Sequence, residues 1–433
     1  MKRISESYPI ERCDLIKEKL SSWARGFEPI VWLDSNEHKD NYSKYEAVLA
    51  FGKQSFLKTD YKNGFESLKK YQAQTKDYLF GFLAYDLKND TEKLDSKNLD
   101  PLNFPDLYFF QPKKIIVVEK KQIIFKYLEF IQQDIGRDLN QILRHIPKDL
   151  SKNEQTIKLK ARISKSEYLQ KVESILEQIR KGSIYEATFC QEFYAEGTLI
   201  KPYQVYKKLN KLSKAPLSCF FKLGNKYLMS GSPERYLKKE KNKLISQPIK
   251  GTSRRSSNKI IDDTLKNQLI ENTKELAENI MIVDLVRNDL SKSAIRGSTV
   301  VNELCQVYSF KKVHQLISTI SCEVASEVNP IDLIKSTFPM GSMTGAPKLE
   351  AMKVIEREEK TKRGLYSGAV GYITPSGNFD FNVIIRSILY DSERKYISAS
   401  VGSAITNLAD PLNEYEECLI KVESMIQSLT SDS

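Results

Sequence analysis

Residues 232–252 read Ser-Pro-Glu-Arg-Tyr-Leu-Lys-Lys-Glu-Lys-Asn-Lys-Leu-Ile-Ser-Gln-Pro-Ile-Lys-Gly-Thr and predict a β-hairpin. A charged turn near Lys241 separates two stretches of β-forming residues. The second stretch ends at Lys250, which lies between Pro248 and Gly251. Proline removes a backbone donor and glycine permits close approach, so stiff backbone orients the lysine side chain. Lys250 is our candidate nucleophile, and the alternative is a solvated lysine at a strand end.

The same hairpin brings a carboxyl group towards this amine. If the turn is centred on Lys241 and Asn242, Glu234 lies nearly opposite Lys250. Directly paired residues have Cβ atoms about 4.5 to 5.5 Å apart, whereas a slip of one residue would put them on opposite faces. The hairpin therefore predicts either an acid beside a nucleophile or a structural cross-strand ion pair.

Composition and charge exclude several classes of protein. A chain of 433 residues is long enough to bury a deep site. The net charge of +11 comes from lysines scattered beside acidic residues, so we expect no nucleic-acid partner. No apolar run has the length of a membrane span and the first residues lack a signal-peptide core, so we expect a cytoplasmic protein without membrane contact. The 6 cysteines form no Cys-x-x-Cys pair and predict neither zinc nor disulfides.

A polar, lysine-rich stretch divides the chain. Residues 147–163 are the candidate linker or boundary. It separates an N-terminal region at residues 1–146 from a region at residues 164–427 that carries the chemical motifs. Ser164 and Glu167 have capping-box spacing and predict the start of a helix. We therefore look for the active site after the boundary.

Two predicted helices carry clustered charges on one face. The first covers residues 267–290, and the second begins at Asp410, which can cap it. The charged residues of these faces are Glu275, Glu278, Glu414, Glu417 and Lys421. Like charges at spacings of three and four residues repel by roughly 0.2 to 0.5 kcal/mol, which suggests a shared cation. Oxygen-only ligands favour magnesium, and the alternative is two ordinary solvated faces.

Two features predict contacts with an anion. Residues 341–348 form a glycine-rich loop that leads into a helix, and free backbone amides at such a helix start bind anions. The alternative is a purely structural loop. Arg386 interrupts two apolar runs, so it lies either on a wet face or inside the protein for an acidic ligand. We favour the second interpretation of Arg386.

Five segments, in this order, resemble the chorismate-utilising enzymes, the family of the large chains of anthranilate synthase, aminodeoxychorismate synthase and isochorismate synthase. The segments are Ser232-Pro233-Glu234-Arg235, Pro248-Ile249-Lys250-Gly251-Thr252, Asp284-Leu285-Val286-Arg287-Asn288-Asp289, Gly341-Ser342-Met343-Thr344-Gly345-Ala346-Pro347-Lys348 and Glu414-Tyr415-Glu416-Glu417. The resemblance covers residues 164–427 strongly and the first region weakly. It implies an α+β, anthranilate synthase component I-like fold, with antiparallel β-sheets packed as a sandwich and flanking helices.

Lys250 matches one branch of that family. Anthranilate synthases carry alanine at this position, whereas aminodeoxychorismate synthases carry lysine. The resemblance implies that the amine attacks C2 of chorismate as the C4 hydroxyl leaves, and that ammonia then adds at C4 to give 4-amino-4-deoxychorismate. Glu234 would protonate the departing hydroxyl, a task that requires a raised pKa. A free lysine has a pKa near 10.4, so we expect burial or a nearby cation to lower the pKa of Lys250.

The resemblance also implies the other site residues. Glu278 and Glu417 match the family's Mg²⁺ ligands, and Glu275 and Glu414 would act through water. The implied substrate contacts are Ser342, Gly402 and Lys421 at the ring carboxylate, Tyr366 and Arg386 at the enolpyruvyl carboxylate, and Thr252 in the lysine segment. Since no Gly-x-Cys-x-Gly setting surrounds a cysteine, a separate glutamine amidotransferase subunit would supply ammonia.

Three positions depart from the family pattern. Gln315 stands where the family has histidine, and Gly402-Ser403-Ala404 keeps only the first glycine of a pair. Glu186 occupies the place of the lysine that activates water in isochorismate-forming members, which disfavours water as the nucleophile. Two other functions stay open: an anthranilate synthase that contains Lys250, and a catalytically silent chorismate-binding chain.

Overall fold

Antiparallel strand pairing builds this protein. The computed structural model describes residues 2–38, 42, 43, 45–147 and 156–430. The helices are α1 Cys13–Ala24, α2 Gly64–Thr75, α3 Lys88–Thr91, α4 Asp134–Arg144, α5 Lys165–Arg180, α6 Pro202–Ser213, α7 Lys259–Glu271, α8 Thr273–Ser291, α9 Pro330–Thr337, α10 Lys348–Glu358 and α11 Pro411–Leu429. The strands are β1 Arg3–Pro9, β2 Ile30–Asp34, β3 Ala47–Thr59, β4 Leu79–Leu83, β5 Leu107–Val118, β6 Gln122–Leu128, β7 Lys160–Ala161, β8 Glu186–Ala195, β9 Leu217–Leu223, β10 Lys226–Ser232, β11 Arg235–Glu240, β12 Lys243–Gln247, β13 Ile249–Arg254, β14 Val300–Ser309, β15 Val313–Glu323, β16 Gly345–Ala346, β17 Ala369–Ile373, β18 Phe379–Val383, β19 Ser387–Asp391 and β20 Tyr396–Thr406.

The strands carry apolar side chains on both faces. Because successive side chains alternate across a strand, Val31 points into one apolar cluster and Trp32 into the other. The first cluster joins residues of β4, β5, β17 and β18 with residues of α2, α8 and α9. The second cluster joins the opposite strand faces with α1, α4, α5, α6 and α11. These two clusters confirm the predicted α+β fold with antiparallel strands and flanking helices.

Strands from both sides of the predicted boundary pair with one another. Strand β2 pairs with β9, and β4 pairs with β17, each in an antiparallel register. The first region thus adds strands to the same sheet system as the region that carries the motifs. Of the predicted boundary at residues 147–163, residues 148–155 lie outside the described residues. The boundary itself stays a prediction.

Side-chain caps decide where the helices of the site begin. Ser164 accepts a hydrogen bond from the backbone N–H of Glu167 at 3.2 Å, which confirms the predicted start of α5. Asp410 caps α11 in the same way. The single helix predicted over residues 267–290 is wrong, because Asn272 ends α7 and its side chain caps α8. Asparagine competes with the helical backbone for hydrogen bonds and so favours such a break.

No helix among the described residues has both the length and the apolar character that crossing a bilayer requires.

Candidate active site

The predicted hairpin exists, but its register differs from the prediction. Glu240 pairs with Lys243 around the expected turn, and the ladder shifts before it ends at Arg235 and Gln247. Pro248 then separates β12 from β13. The prediction that Glu234 lies nearly opposite Lys250 in this hairpin is therefore wrong, although both residues line one cavity. A register shift and a proline, neither of which the strand pattern reveals, move the two residues out of line.

A β-bulge orients Lys250. Ile249 pairs with Ile317 and Thr252 pairs with Gln315, so the two residues between them on β13 oppose a single residue on β15. Gly251 takes a φ of +92° at this bulge. Asn279 of α8 donates hydrogen bonds to the carbonyl oxygens of Lys250 and Leu316, both at 3.2 Å. A bulge redirects a side chain relative to its strand, and this one turns the lysine into a cavity.

We expect Gly251→Ala to destabilise this bulge. The positive φ costs a non-glycine residue about 1 to 2 kcal/mol, and a Cβ would lie 2.9 Å from Leu316 Cδ1 and 3.2 Å from Glu275 Oε2. This crowding adds about 1 to 3 kcal/mol. Gly297→Ala is the matched control, because its φ is +78° but the added Cβ meets nothing within 4 Å. Urea unfolding measures both variants, and equal losses would contradict the crowding argument.

One cavity collects almost all of the residues proposed from the sequence. Those that line it are Glu234, Lys250, Thr252, Glu275, Glu278, Ser342, Tyr366, Arg386, Gly402, Glu417 and Lys421. Glu414 does not line the cavity. It is buried and accepts hydrogen bonds from Lys274 Nζ at 2.6 Å and from Ser403 Oγ. The residues come from eight separate segments of the chain, so the fold, and not one motif, makes the cavity.

Lys250 is paired with a carboxylate that the sequence did not indicate as its partner. Its Nζ lies 3.1 Å from Oε1 of Glu186, whose side chain is fully buried on β8. Burial acts to lower the pKa of Lys250, but Glu186 and then Glu278 raise it, and the net shift is upward. The expectation of a lowered pKa is therefore wrong for the ligand-free protein. Without ligand, the amine is a cation.

Glu234 is a second buried acid, and it lines the same cavity as Lys250. Its side chain is 3% exposed, and burial raises its pKa to about 7. Ser342 Oγ donates a hydrogen bond to Glu234 Oε1. Asp289 binds Lys348 Nζ, which also donates to the carbonyl of Pro339 at 2.9 Å, so two of the sequence motifs together hold the loop before Ser342. Glu234 thus has the raised pKa that a general acid requires.

Three carboxylates of α8 and α11 line the cavity, namely Glu275, Glu278 and Glu417. Burial raises the pKa of Glu278 to about 7, and Glu278 Oε1 is buried without a hydrogen-bond partner among the described residues. The side chain of Glu417 is 43% exposed, and although partial desolvation acts to raise its pKa, Lys421 Nζ at 2.5 Å from Oε1 gives a net lowering. The nearest cation to Glu278 Oε1 in the described ion pairs is Lys274 Nζ at 3.7 Å, so the cavity combines a carboxylate oxygen without a hydrogen bond with further negative charge.

This donor set fits a magnesium ion that keeps water ligands. In the described part of the chain, no three histidine, cysteine or carboxylate side chains converge as a ready-made metal site. Magnesium usually keeps several waters and takes one or two carboxylates plus oxygens of its substrate. Glu278 and Glu417 could supply those carboxylates, with Glu275 beside them.

Two cationic side chains, Arg386 and Lys421, also line the cavity. Arg386 has a φ of +51°, a strained conformation for a residue with a side chain, and its Nη1 donates to the carbonyl of Lys421 at 3.1 Å. Lys421 Nζ donates to the carbonyl of Gly402 at 2.8 Å. A Cβ on Gly402 would lie 2.6 Å from Cys190 Sγ, so this position requires glycine. Arg386 lines the cavity, as we inferred from the sequence.

The sequence placed Glu186 at a family active-site position but did not predict its ion pair with Lys250, and it gave no role to Asn279. Glu186 begins a strand whose residues are nearly all apolar or buried, and a charge in such a setting is a signal that could have been read. Gln315 lines the cavity, donates weakly to Thr252 Oγ1 at 3.4 Å, and keeps a buried Oε1 without a partner in the described chain.

Comparison with known proteins assigns the family. The sequence model described as chorismate binding enzyme matches residues 28–427. The chain belongs to the chorismate binding enzymes. Proteins similar to this chain carry the names of two activities, aminodeoxychorismate synthase and anthranilate synthase.

Two relatives of this chorismate binding enzyme are named as aminodeoxychorismate synthases. The "Probable aminodeoxychorismate synthase, chloroplastic" of Oryza sativa subsp. japonica is 39% identical over 264 residues, which is 60% of this chain and 29% of the rice protein. "Aminodeoxychorismate synthase component 1" of Bacillus subtilis (strain 168) is 30% identical over 360 residues, which is 81% of this chain and 76% of the relative. This chain therefore spans less than a third of the rice protein but most of the bacterial one.

The crystal structure of anthranilate synthase component I from Streptococcus pneumoniae TIGR4 shares the fold of this chorismate binding enzyme. It superposes with a TM-score of 0.76 at 24% identity, over 90% of this chain and 94% of that chain. At this identity the likeness establishes the fold alone. It confirms the predicted anthranilate synthase component I-like architecture.

Proposed function

We propose that this protein is the synthase subunit of an aminodeoxychorismate synthase, which converts chorismate and ammonia into 4-amino-4-deoxychorismate for 4-aminobenzoate and folate synthesis. The observation that carries the proposal is a single lysine, Lys250, which a bulge turns into a cavity that also holds a buried acid. The names of the rice and Bacillus subtilis relatives support the same assignment.

The cavity offers charge partners for a dianionic substrate. Arg386 and Tyr366 would bind the enolpyruvyl carboxylate, and Lys421 would neutralise the ring carboxylate near Gly402 and Ser342. Two anionic handles fix one orientation of the ring between Lys250 and Glu234, which is the proximity effect that the reaction needs. When bound, magnesium would neutralise negative charge between Glu278, Glu417 and the ring carboxylate.

Covalent catalysis divides the amination into two steps. The Lys250 amine attacks C2, both ring double bonds shift along the ring to C1–C6 and C4–C5, and the C4 hydroxyl leaves as water with the proton of Glu234. Ammonia then attacks C4, both double bonds shift back, and the C2–N bond breaks to release the lysine. An ammonium ion that donates one proton to Glu234 restores the acid as it becomes the ammonia nucleophile.

A separate glutamine amidotransferase subunit in the cytoplasm would supply that ammonia. The test needs no partner, because ammonium salts replace it. Purified protein is incubated with chorismate, MgCl₂ and ammonium chloride, and the product is separated by chromatography. We expect 4-amino-4-deoxychorismate, which does not fluoresce. Anthranilate, detected by its fluorescence, would identify an anthranilate synthase, and tight chorismate binding without consumption would identify a silent chain.

We expect magnesium binding to weaken below pH 7. Burial raises the pKa of Glu278 to about 7, so at lower pH a proton occupies the carboxylate that a cation requires, and affinity falls up to about tenfold per pH unit. Glu278→Gln should weaken binding at every pH. The exposed Glu423→Gln, on the same helix as Glu417, is the control. Calorimetric titration of MgCl₂ with chorismate present measures this, and a pH-independent affinity would contradict Glu278 as a ligand.

A further inference from the structure

Glu186 forms an ion pair with Lys250 through its side chain, while its backbone alone makes the strand pairing of β8 at this position. Its backbone pairs with Thr406 on β20 and with Ala346 on β16, so its place in the sheet does not depend on its side chain. The side chain is fully buried, and Oε1 accepts from Lys250 Nζ at 3.1 Å. The second oxygen, Oε2, is buried without a hydrogen-bond partner among the described residues. Burying a carboxylate oxygen without a hydrogen bond costs free energy of folding. Such an atom in a native structure calls for an explanation, and a catalytic role is one.

The proposed reaction requires a group that accepts a proton from the Lys250 ammonium. Lys250 is a cation in the ligand-free protein, but only a neutral amine can attack carbon. In the described chain, Glu186 is the carboxylate that forms an ion pair with Lys250. The charges of Glu278 and Glu417 also act on the amine, and Glu234 lines the same cavity. Glu278 and Glu417 face the candidate metal site and Glu234 must protonate the leaving hydroxyl, which leaves Glu186 to receive the proton.

We propose that Glu186 takes one proton from Lys250 before the attack on chorismate and returns it when the lysine is released. This inference rests on the proposed function. The Lys250 ammonium and Glu186 carboxylate become a neutral amine and a carboxylic acid. The amine bonds to C2 as a secondary ammonium, while Glu186 keeps the proton. When the C2–N bond breaks, its electron pair stays on nitrogen, and the neutral amine recovers the proton from Glu186.

The transfer has a distinctive pH signature. The Lys250–Glu186 pair holds one proton both before and after the transfer, so forming the nucleophile exchanges no proton with solvent. In Glu186→Gln, which keeps the shape of the side chain, the amine must lose its proton to solvent. The rate of adduct formation in that variant then rises about tenfold per pH unit below the pKa of the amine. A purely structural ion pair would instead change the rate by a factor that does not depend on pH.

The experiment measures the covalent adduct in the full chain. Wild type, Glu186→Gln, Glu186→Asp and Glu192→Gln are mixed with chorismate and MgCl₂ without ammonium, quenched at short times and measured by intact mass spectrometry from pH 6 to pH 9. Glu192 is a matched control, since it is buried on the same strand and is paired with Arg162. Because Glu234 is present in all four proteins, the ratio of wild-type to variant rate compares the contribution of Lys250.

We expect the ratio of wild type to Glu186→Gln to fall about tenfold per pH unit at pH values below the pKa of the amine in the variant. The ratio for Glu192→Gln should stay constant with pH, and Glu186→Asp, which keeps a carboxyl group, should restore a nearly constant ratio. A constant ratio for Glu186→Gln would overturn the proposal. Loss of adduct at all pH values in both Glu186 variants would also overturn it, since that marks a structural role. Absence of adduct in the wild type would instead refute the proposed function.

Discussion

Replacing Lys250 with alanine is expected to lower the rate of 4-amino-4-deoxychorismate formation from ammonium by roughly 10³-fold or more, the scale of losing a covalent nucleophile. The physical reason is that ammonia must then displace the C4 hydroxyl in one step. The adduct with chorismate should disappear at the same time. Chromatography of the product and mass spectrometry of the protein measure the two effects independently.

Two further variants distinguish the loss of the nucleophile from the loss of a positive charge. Lys250→Arg keeps a cation beside Glu186, but the guanidinium does not deprotonate near neutral pH, so we expect neither adduct nor product. Lys171→Ala removes a lysine that is similarly shielded, with a side chain 14% exposed and paired with Glu358 outside the cavity, and should retain activity. An undiminished rate in Lys250→Ala would show that the lysine is not the nucleophile.

The sequence predicts the members of this site better than their arrangement. Motif order identified Lys250 and Glu234, and the cavity contains both. Their predicted cross-strand pairing failed because a ladder shift and Pro248 interrupt the hairpin, and the bulge at Gly251 then reorients the lysine. Hydrophobic alternation specifies which residues are buried, but a bulge changes the register without changing that alternation.

The sequence pattern did not predict the ion pair between Glu186 and Lys250. Glu186 lies 64 positions from Lys250 and belongs to a strand that is not hydrogen-bonded to β13. Only the packing of the sheet system places the two side chains together. The prediction of a lowered lysine pKa failed for this reason, since it considered burial and a nearby cation but not a buried anion. The raised pKa of Glu234 follows mainly from burial, which the apolar surroundings of its motif indicate more directly.

The pH dependence of turnover should have an alkaline limb set by Glu234. Burial raises its pKa to about 7, and a general acid acts only while it is protonated, so the rate should fall as pH rises through 7. The Ser342 hydrogen bond stabilises the ionised carboxylate and opposes that shift. Ser342→Ala should therefore move the limb to higher pH. No shift in that variant would show that Ser342 does not act on the acid.

Replacing Glu234 with glutamine is expected to slow turnover by about 10² to 10⁴-fold, the usual contribution of general acid catalysis. Glutamine keeps the volume and can accept the hydrogen bond from Ser342, but it has no proton to give to the departing hydroxyl. The remaining activity should lose its alkaline limb, since the titrating group is gone. Rates from pH 6 to pH 9 with saturating ammonium test both effects. A full alkaline limb in Glu234→Gln would assign the proton donor to another group, and Glu278, whose pKa is raised to about 7 by burial, would be the next residue to replace.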